Sequence, residues 1–303
     1  MPSCRGRSPL LAPSTGHYLS LPALACIGLL AADPAPGQPG GRTSGGLPSV
    51  ASINLCTDQL VLSLAAPGQI LSLSWLSADP EESMLAEAAA RYPLNYGSAE
   101  ELLEIGADVV VAGAVTSPFT RQLLRRLGTT IVDVEAAASL ADVERNLAQV
   151  GAAIGRDDEA AGLVAAMRVR AGSVQARAES IRAEASAAPR SAIVVRPGGF
   201  TIGRDTLANE LLELAGLTNS IAGLDRWGSL SIETLLEREP EFIVFTRYRA
   251  GEPSLANAIF AHPALVSLAG AQKTLAVESR HFACGAPESL AAAEALIEQM
   301  AAN

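Results

Sequence analysis

Ser98-Ala99-Glu100-Glu101-Leu102-Leu103-Glu104 leads through Asp108 into an apolar stretch, and it returns as Ser231-Ile232-Glu233-Thr234-Leu235-Leu236-Glu237, leading through Glu241 into another. Five of the seven positions are identical. Each copy opens on a serine suited to capping a helix, carries acid in the first turn and feeds a buried strand. Upstream, Asp58-Gln59-Leu60-Val61 is matched less closely by Asn209-Glu210-Leu211-Leu212. A repeated helix-strand unit predicts two similar lobes.

The flanking sequence extends that pattern. Residues 50–55 read as a strand, Thr57-Asp58 as a helix cap and residues 59–66 as the helix, which Pro67-Gly68 stops before a strand at 70–73. Helix at 99–105, strand at 108–112, helix at 120–127 capped by Gly128 and strand at 129–134 follow. Alternation on this scale predicts a parallel sheet with helices on both faces. Residues 140–188 then read as nearly continuous helix, without proline until Pro189 and with one break near Gly155-Arg156-Asp157. At about 1.5 Å per residue such a helix spans a domain. Strands resume at 192–196, 242–246 and 273–277, and a last helix runs from Pro287. The expected fold class is therefore α/β: an N-terminal lobe at 49–139, a helical spine at 140–189 and a C-terminal lobe at 190–303.

Composition bounds the function. A chain of 303 residues is long enough for two cores. A net charge of -10, with arginines scattered among acids, argues against a nucleic-acid partner. At the N-terminus, Arg5 and Arg7 precede an apolar stretch at 18–32 too short to span a bilayer comfortably, ending in Ala31-Ala32. Residues 1–32 read as an export signal and 33–48, rich in Pro and Gly, as a flexible tether. The alternative is a lipoprotein acylated at Cys26, although Ala23-Leu24-Ala25 is a poor lipobox. Export leaves Cys56 and Cys284, which either pair in an oxidising compartment or remain free thiols.

Catalytic signatures are missing. The chain has no Gly-x-Ser-x-Gly run, and Arg196-Pro197-Gly198-Gly199 is too short for a phosphate loop and lacks its lysine. His262 and His281 are isolated, so no metal site, cofactor or catalytic group is expected.

The run from Ser52 to Leu60, the two Ser-x-Glu-x-Leu-Leu helices, the spine, Pro197-Gly198-Gly199-Phe200-Thr201-Ile202-Gly203 and the closing Cys284-Gly285-Ala286-Pro287 together resemble the periplasmic iron-chelate and cobalamin binding proteins of ABC importers. The resemblance covers roughly residues 48–303. It implies a monomer with a cleft between rigid lobes, a small-molecule metal chelate or corrinoid as ligand, and an ABC permease dimer as partner. It also implies that Glu100 and Glu233 dock onto permease arginines; otherwise both are first-turn carboxylates that stabilise their own helices.

Open α/β sheets place ligands at the carboxyl ends of their strands. The loops there hold Cys56, Thr57, Trp75, Tyr96, Thr116, Arg196, Phe200, Arg204, Trp227, Arg247, Tyr248 and His281 as candidate ligand-binding residues. Trp75 and Trp227, the only tryptophans, either face the cleft or plug the edge of a core. Arg196, Arg204 and Arg247 either neutralise an anionic chelate or pair with acids such as Asp205 and Glu252. Two other classes remain open: an exported thiol enzyme using Cys56 and His281, and a receptor domain that signals rather than transports.

Overall fold

The protein is described by a computed structural model over residues 46–184, 190–221, 223–249 and 254–302. The expected export signal, Cys26, Glu252 and most of the tether lie outside the described residues.

The first half contains β1 (Val50–Ser52), α1 (Leu55–Leu64), β2 (Ile70–Ser74), α2 (Ala86–Ala89), β3 (Leu94–Asn95), α3 (Ala99–Ile105), β4 (Val109–Gly113), α4 (Pro118–Arg126) and β5 (Thr130–Val134). Its strands form one parallel sheet in the order β3-β2-β1-β4-β5. Two helices follow, α5 (Leu140–Ile154) and α6 (Asp157–Glu184). The second half contains β6 (Arg190–Val195), β7 (Phe200–Ile202), α7 (Leu207–Leu214), β8 (Leu217–Asn219), β9 (Trp227–Ser229), α8 (Ile232–Arg238), β10 (Phe242–Arg247), α9 (Pro263–Ala271), β11 (Lys273–Glu278) and α10 (Leu290–Ala302). Its main sheet, also parallel, runs β11-β10-β6-β8. Two similar lobes with parallel sheets flank a long helix.

The repeat folds as the sequence predicts. α3 begins one residue after Ser98, whose Oγ accepts from Glu101 N at 3.2 Å, and α8 one residue after Ser231, whose Oγ accepts from Thr234 N at 3.1 Å. Leu102 and Leu235 bury themselves against their sheets. The expected break in the spine is present: Gly155, at φ 71, caps α5, and α6 starts at Asp157. One expectation needs correction. The cap of α1 is Asn54, whose Oδ1 accepts from Cys56 N at 3.0 Å, so Thr57 and Asp58 are fully buried helix residues rather than the cap.

Burial explains why the lobes are braced. α6 is exposed along most of its length, but Ala160, Met167, Val174 and Ala178, spaced by seven, seven and four residues, make a narrow buried stripe like one side of a coiled-coil seam. That stripe belongs to one continuous core containing Leu60 and Val61 of the first lobe, Leu147 and Val150 of α5, and Leu211, Leu212 and Leu296 of the second. Arg168 makes a bidentate ion pair with Glu144 of α5, and Arg170 makes another with Glu294 of α10, so a single turn of α6 holds α5 and α10 together. Smaller cores close the outer faces of the two sheets.

Candidate ligand cleft

In each sheet the connections run outward in both directions from one pair of neighbouring strands, β1 with β4 and β6 with β10. A crevice opens at such a switch point, outside the carboxyl ends of the strands. Asn54 to Cys56 follow β1, Thr116 follows β4, Arg196 follows β6 and Tyr248 follows β10. The close approach behind Asn54 requires glycine at 113, where a Cβ would fall 2.4 Å from Asn54 Oδ1.

The lobes meet at these ends. Cys56, in the first turn of α1, forms a disulfide with Cys284, with their Cα atoms 5.0 Å apart and a sequence separation of 228. Beside it Gly285 packs so tightly against the first lobe that a Cβ there would fall 2.4 Å from Ala137 Cβ. On one side of this junction is a cavity of about 350 Å³ lined by Glu82, Arg196, Pro197, Phe200, Trp227, Tyr248, Ser279 and Ala283. Adjoining it, about 170 Å³ is enclosed by groups that include Cys56, Ala137, Thr206, Trp227 and Cys284. A larger hollow of about 730 Å³ between β10 and α9 is walled by the second lobe alone, so the interlobe cleft is the better candidate.

An antiparallel ribbon of β7 and β9, which the sequence does not announce, shapes the second lobe's half. It holds Phe200 and Trp227, each about half exposed, and the Arg196 guanidinium lies 4.5 Å from the centre of the Trp227 ring. Burial holds the Arg196 pKa below its usual value, and its Nη1 has no hydrogen-bond partner. Trp75 and Tyr96, at the ends of β2 and β3, are exposed and stack on each other with centroids 6.3 Å apart.

Other expected ligand residues have structural partners. Thr57 is fully buried, its hydroxyl bonded to Asn54 O and Ser52 Oγ, and does not reach the cleft. Thr116 closes the turn after β4, its Oγ1 accepting from Gly113 N at 3.2 Å. Arg204 pairs with Asp225 at 2.8 Å and Arg247 with Glu278 at 2.7 Å, so neither adds unbalanced positive charge. His281 is partly buried, and burial, followed by the neighbouring Arg280, lowers its pKa. Cys56 lacks the free thiol that a nucleophile needs, which removes the thiol-enzyme alternative. Among the described residues no group of three His, Cys, Asp or Glu is placed to hold a metal ion.

Beneath the cleft lies an ionisable group. Asp58 accepts from Ser74 N at 3.1 Å and from Ser74 Oγ, fastening α1 to the residue that precedes Trp75. Burial pushes its pKa up to about 7, against the opposing hydrogen bonds from Ser52 and Ser74.

Several cleft groups escape a local reading of the sequence. Glu82 accepts from Tyr248 Oη at 2.7 Å across the lobes. Val115 and Phe119, in the segment after β4, are 86% and 73% exposed and leave apolar surface on the first lobe. The acids at 79–82 and the aromatic at 119 are visible in the sequence, but their partners lie far along the chain.

Two lobes, parallel sheets with facing switch points and a helical brace define a helix-linked binding protein with an interlobe cleft. Residues 50–281 match the family model described as periplasmic binding protein, and the chain belongs to that family. A curated relative, the uncharacterized ABC transporter substrate-binding lipoprotein YvrC of Bacillus subtilis (strain 168), is 22% identical over 200 residues, covering 65% of this chain. The match spans 63% of that relative's length. Among solved structures, the periplasmic heme-binding protein RhuT from Roseiflexus sp. RS-1 aligns with a TM-score of 0.67 at 18% identity, covering 84% of this chain and 97% of that one. The periplasmic vitamin B12 binding protein BtuF of Vibrio cholerae aligns with a TM-score of 0.62, with the same identity and coverages.

Proposed function

We propose that this protein is the exported substrate-binding component of an ABC importer, without catalytic activity, and that it captures a bulky, nearly neutral corrinoid. Residues 1–32 serve as its export signal, and the mature protein works in the periplasm as a monomer. Transport in place of signalling is favoured by the description of the Bacillus relative. The vitamin B12 and heme named for the two structural neighbours set the chemical range.

One observation favours a corrinoid within that range. Phe200 and Trp227 line the cleft, Trp75 and Tyr96 lie exposed at the ends of β2 and β3, and Arg204, Arg247 and Arg249 are each already paired with an acid. Aromatic walls whose one lining cation, Arg196, is matched by one lining carboxylate, Glu82, suit a nearly neutral macrocycle better than an anionic ferric siderophore. A thermal-shift screen against cyanocobalamin, haemin and a panel of ferric siderophores tests this. Cyanocobalamin should raise Tm most, since a ligand at 100 times its Kd stabilises by about 2.7 kcal/mol. A larger rise with a siderophore would reassign the substrate.

Delivery is to a permease dimer. Glu100 and Glu233 are both exposed at the second position of their helices, and the repeat also leaves Leu103 and Leu236 exposed at 38% and 44%. Ser98 and Ser231 are kept as caps and Leu102 and Leu235 as core. The exposed leucines have no such internal reason, the acids place charge beside them, and duplicated surfaces suit a partner that presents two equivalent faces.

A further inference from the structure

We infer that Glu82 is the charge selector of the cleft and that the turn carrying it is a strap which ligand must displace from the opposite lobe. The inference rests on the cleft proposed above as the ligand site. Four consecutive residues of the first lobe, 79–82, each reach across to the second. Asp79 pairs with Arg249 Nη2, Pro80 O accepts from Arg280 Nη1 at 2.5 Å, Glu81 Oε2 accepts from Arg249 N at 2.9 Å, and Glu82 Oε1 accepts from Tyr248 Oη at 2.7 Å. These partners lie 166 to 200 residues away in sequence. Arg249 adopts φ 46, a left-handed conformation that a non-glycine residue rarely takes, while its N–H is held by Glu81.

Glu82 and Tyr248 line the same cavity and bond to each other, so their hydrogen bond occupies space that a ligand would need. A ligand that parts them must give Glu82 a new donor, because a partly desolvated carboxylate left without one is costly. An ionised carboxylate only accepts. The group that replaces the tyrosine hydroxyl must therefore be an N–H or O–H, and an anionic edge at that point is repelled. A macrocycle edged with carboxamides meets the requirement, whereas one edged with carboxylates does not. Glu82 thus sets selectivity by charge, and the strap sets the rate of entry.

The test uses the mature protein with Tyr248→Phe and Glu82→Gln, with cyanocobalamin as the neutral probe and haemin as the anionic one. Tyr248→Phe removes the latch bond but keeps the charge, so cyanocobalamin should associate at least threefold faster. Glu82→Gln should shift the ratio of the two affinities towards haemin by tenfold or more. A ratio within twofold of the unmodified protein's, with both probes still binding, would overturn the selector. Hydrogen exchange without ligand provides a separate reading: amides at 75–83 should exchange faster in Tyr248→Phe, which loses the latch bond, and unchanged protection there would overturn the strap. If neither probe binds the unmodified protein, the corrinoid reading fails with the selector, while exchange still decides the strap.

Discussion

The helices α1 and α7 occupy matching places in the two lobes, yet they solve the same packing problem with different chemistry. In the first lobe a buried carboxyl, Asp58, accepts from Ser74 at the end of the next strand. In the second the matching Asn209 is a buried amide whose Oδ1 accepts from Asn219 Nδ2 at 3.1 Å, also at the end of the next strand. The geometry needs an acceptor from the helix to the following strand, and either residue supplies one. Only the aspartate titrates. The first lobe's helix is also tied covalently to the other lobe through Cys56, whereas α7 is held by packing and hydrogen bonds. The duplicated scaffold therefore tolerates divergence inside the lobes while keeping the exposed acids of α3 and α8.

The largest expected effect is on the covalent difference. Replacing both cysteines with serine should destabilise the protein by about 2–5 kcal/mol, the usual cost of losing a native disulfide, read from urea unfolding with and without reductant. A variant whose midpoint matches the oxidised protein would show that the lobes owe nothing to the bond.

The next effect concerns the carboxyl and has a defined sign. Asp58 titrates at about 7 in the folded chain and near 3.9 when unfolded. Its contribution to stability is therefore fully present below about pH 4 and lost as pH rises through 7. Asp58→Asn should stabilise the protein relative to the parent by about 2–4 kcal/mol at pH 8 and by little or nothing at pH 4. The reciprocal Asn209→Asp should destabilise at pH 8, because Asn209 Nδ2 now donates to Glu213 Oε1 at 2.8 Å and a carboxylate there would be repelled. Parallel unfolding curves at the two pH values for all three proteins would break the comparison.

Smaller still are the aromatic contributions. Trp75→Ala and Trp227→Ala come from different lobes, and each should weaken the same ligand by about 1–2 kcal/mol in a titration of Kd. Binding indifferent to both would mean that the lobes do not share the site.

The exposed acids should show the least per residue. Glu100→Arg and Glu233→Arg should each reduce docking by about 1 kcal/mol or less, but together they should abolish uptake in vesicles reconstituted with the transporter, with ligand Kd unchanged. Full uptake by the double variant would reduce both acids to helix-end charges.

The fold was legible wherever a local signal carried it. Ser98, Ser231 and Gly155 mark helix ends through bonds made within a few residues, and the structure puts the boundaries there. The start of α1 was misplaced because Asn54, Thr57 and Asp58 are all chemically able to cap, and only burial of the latter two against β2 and β4 selects the first. The arginines show the same limit. The acids that pair with Arg204 and Arg247 proved to be Asp225 and Glu278, which come near only once the chain has folded.

The sequence by itself determined the two-lobed parallel architecture, the spine and its break, and the duplicated acidic helices, because periodicity, caps and repeats act over a few neighbouring residues. Only the tertiary structure decided that Cys56 and Cys284 pair, that Thr57 lies inside the lobe, that the β7–β9 ribbon holds Phe200 and Trp227, and that Glu82 meets Tyr248. Each of these depends on which distant segments are brought within bonding distance by the packing of two sheets against one set of helices, information that no local stretch of the chain contains.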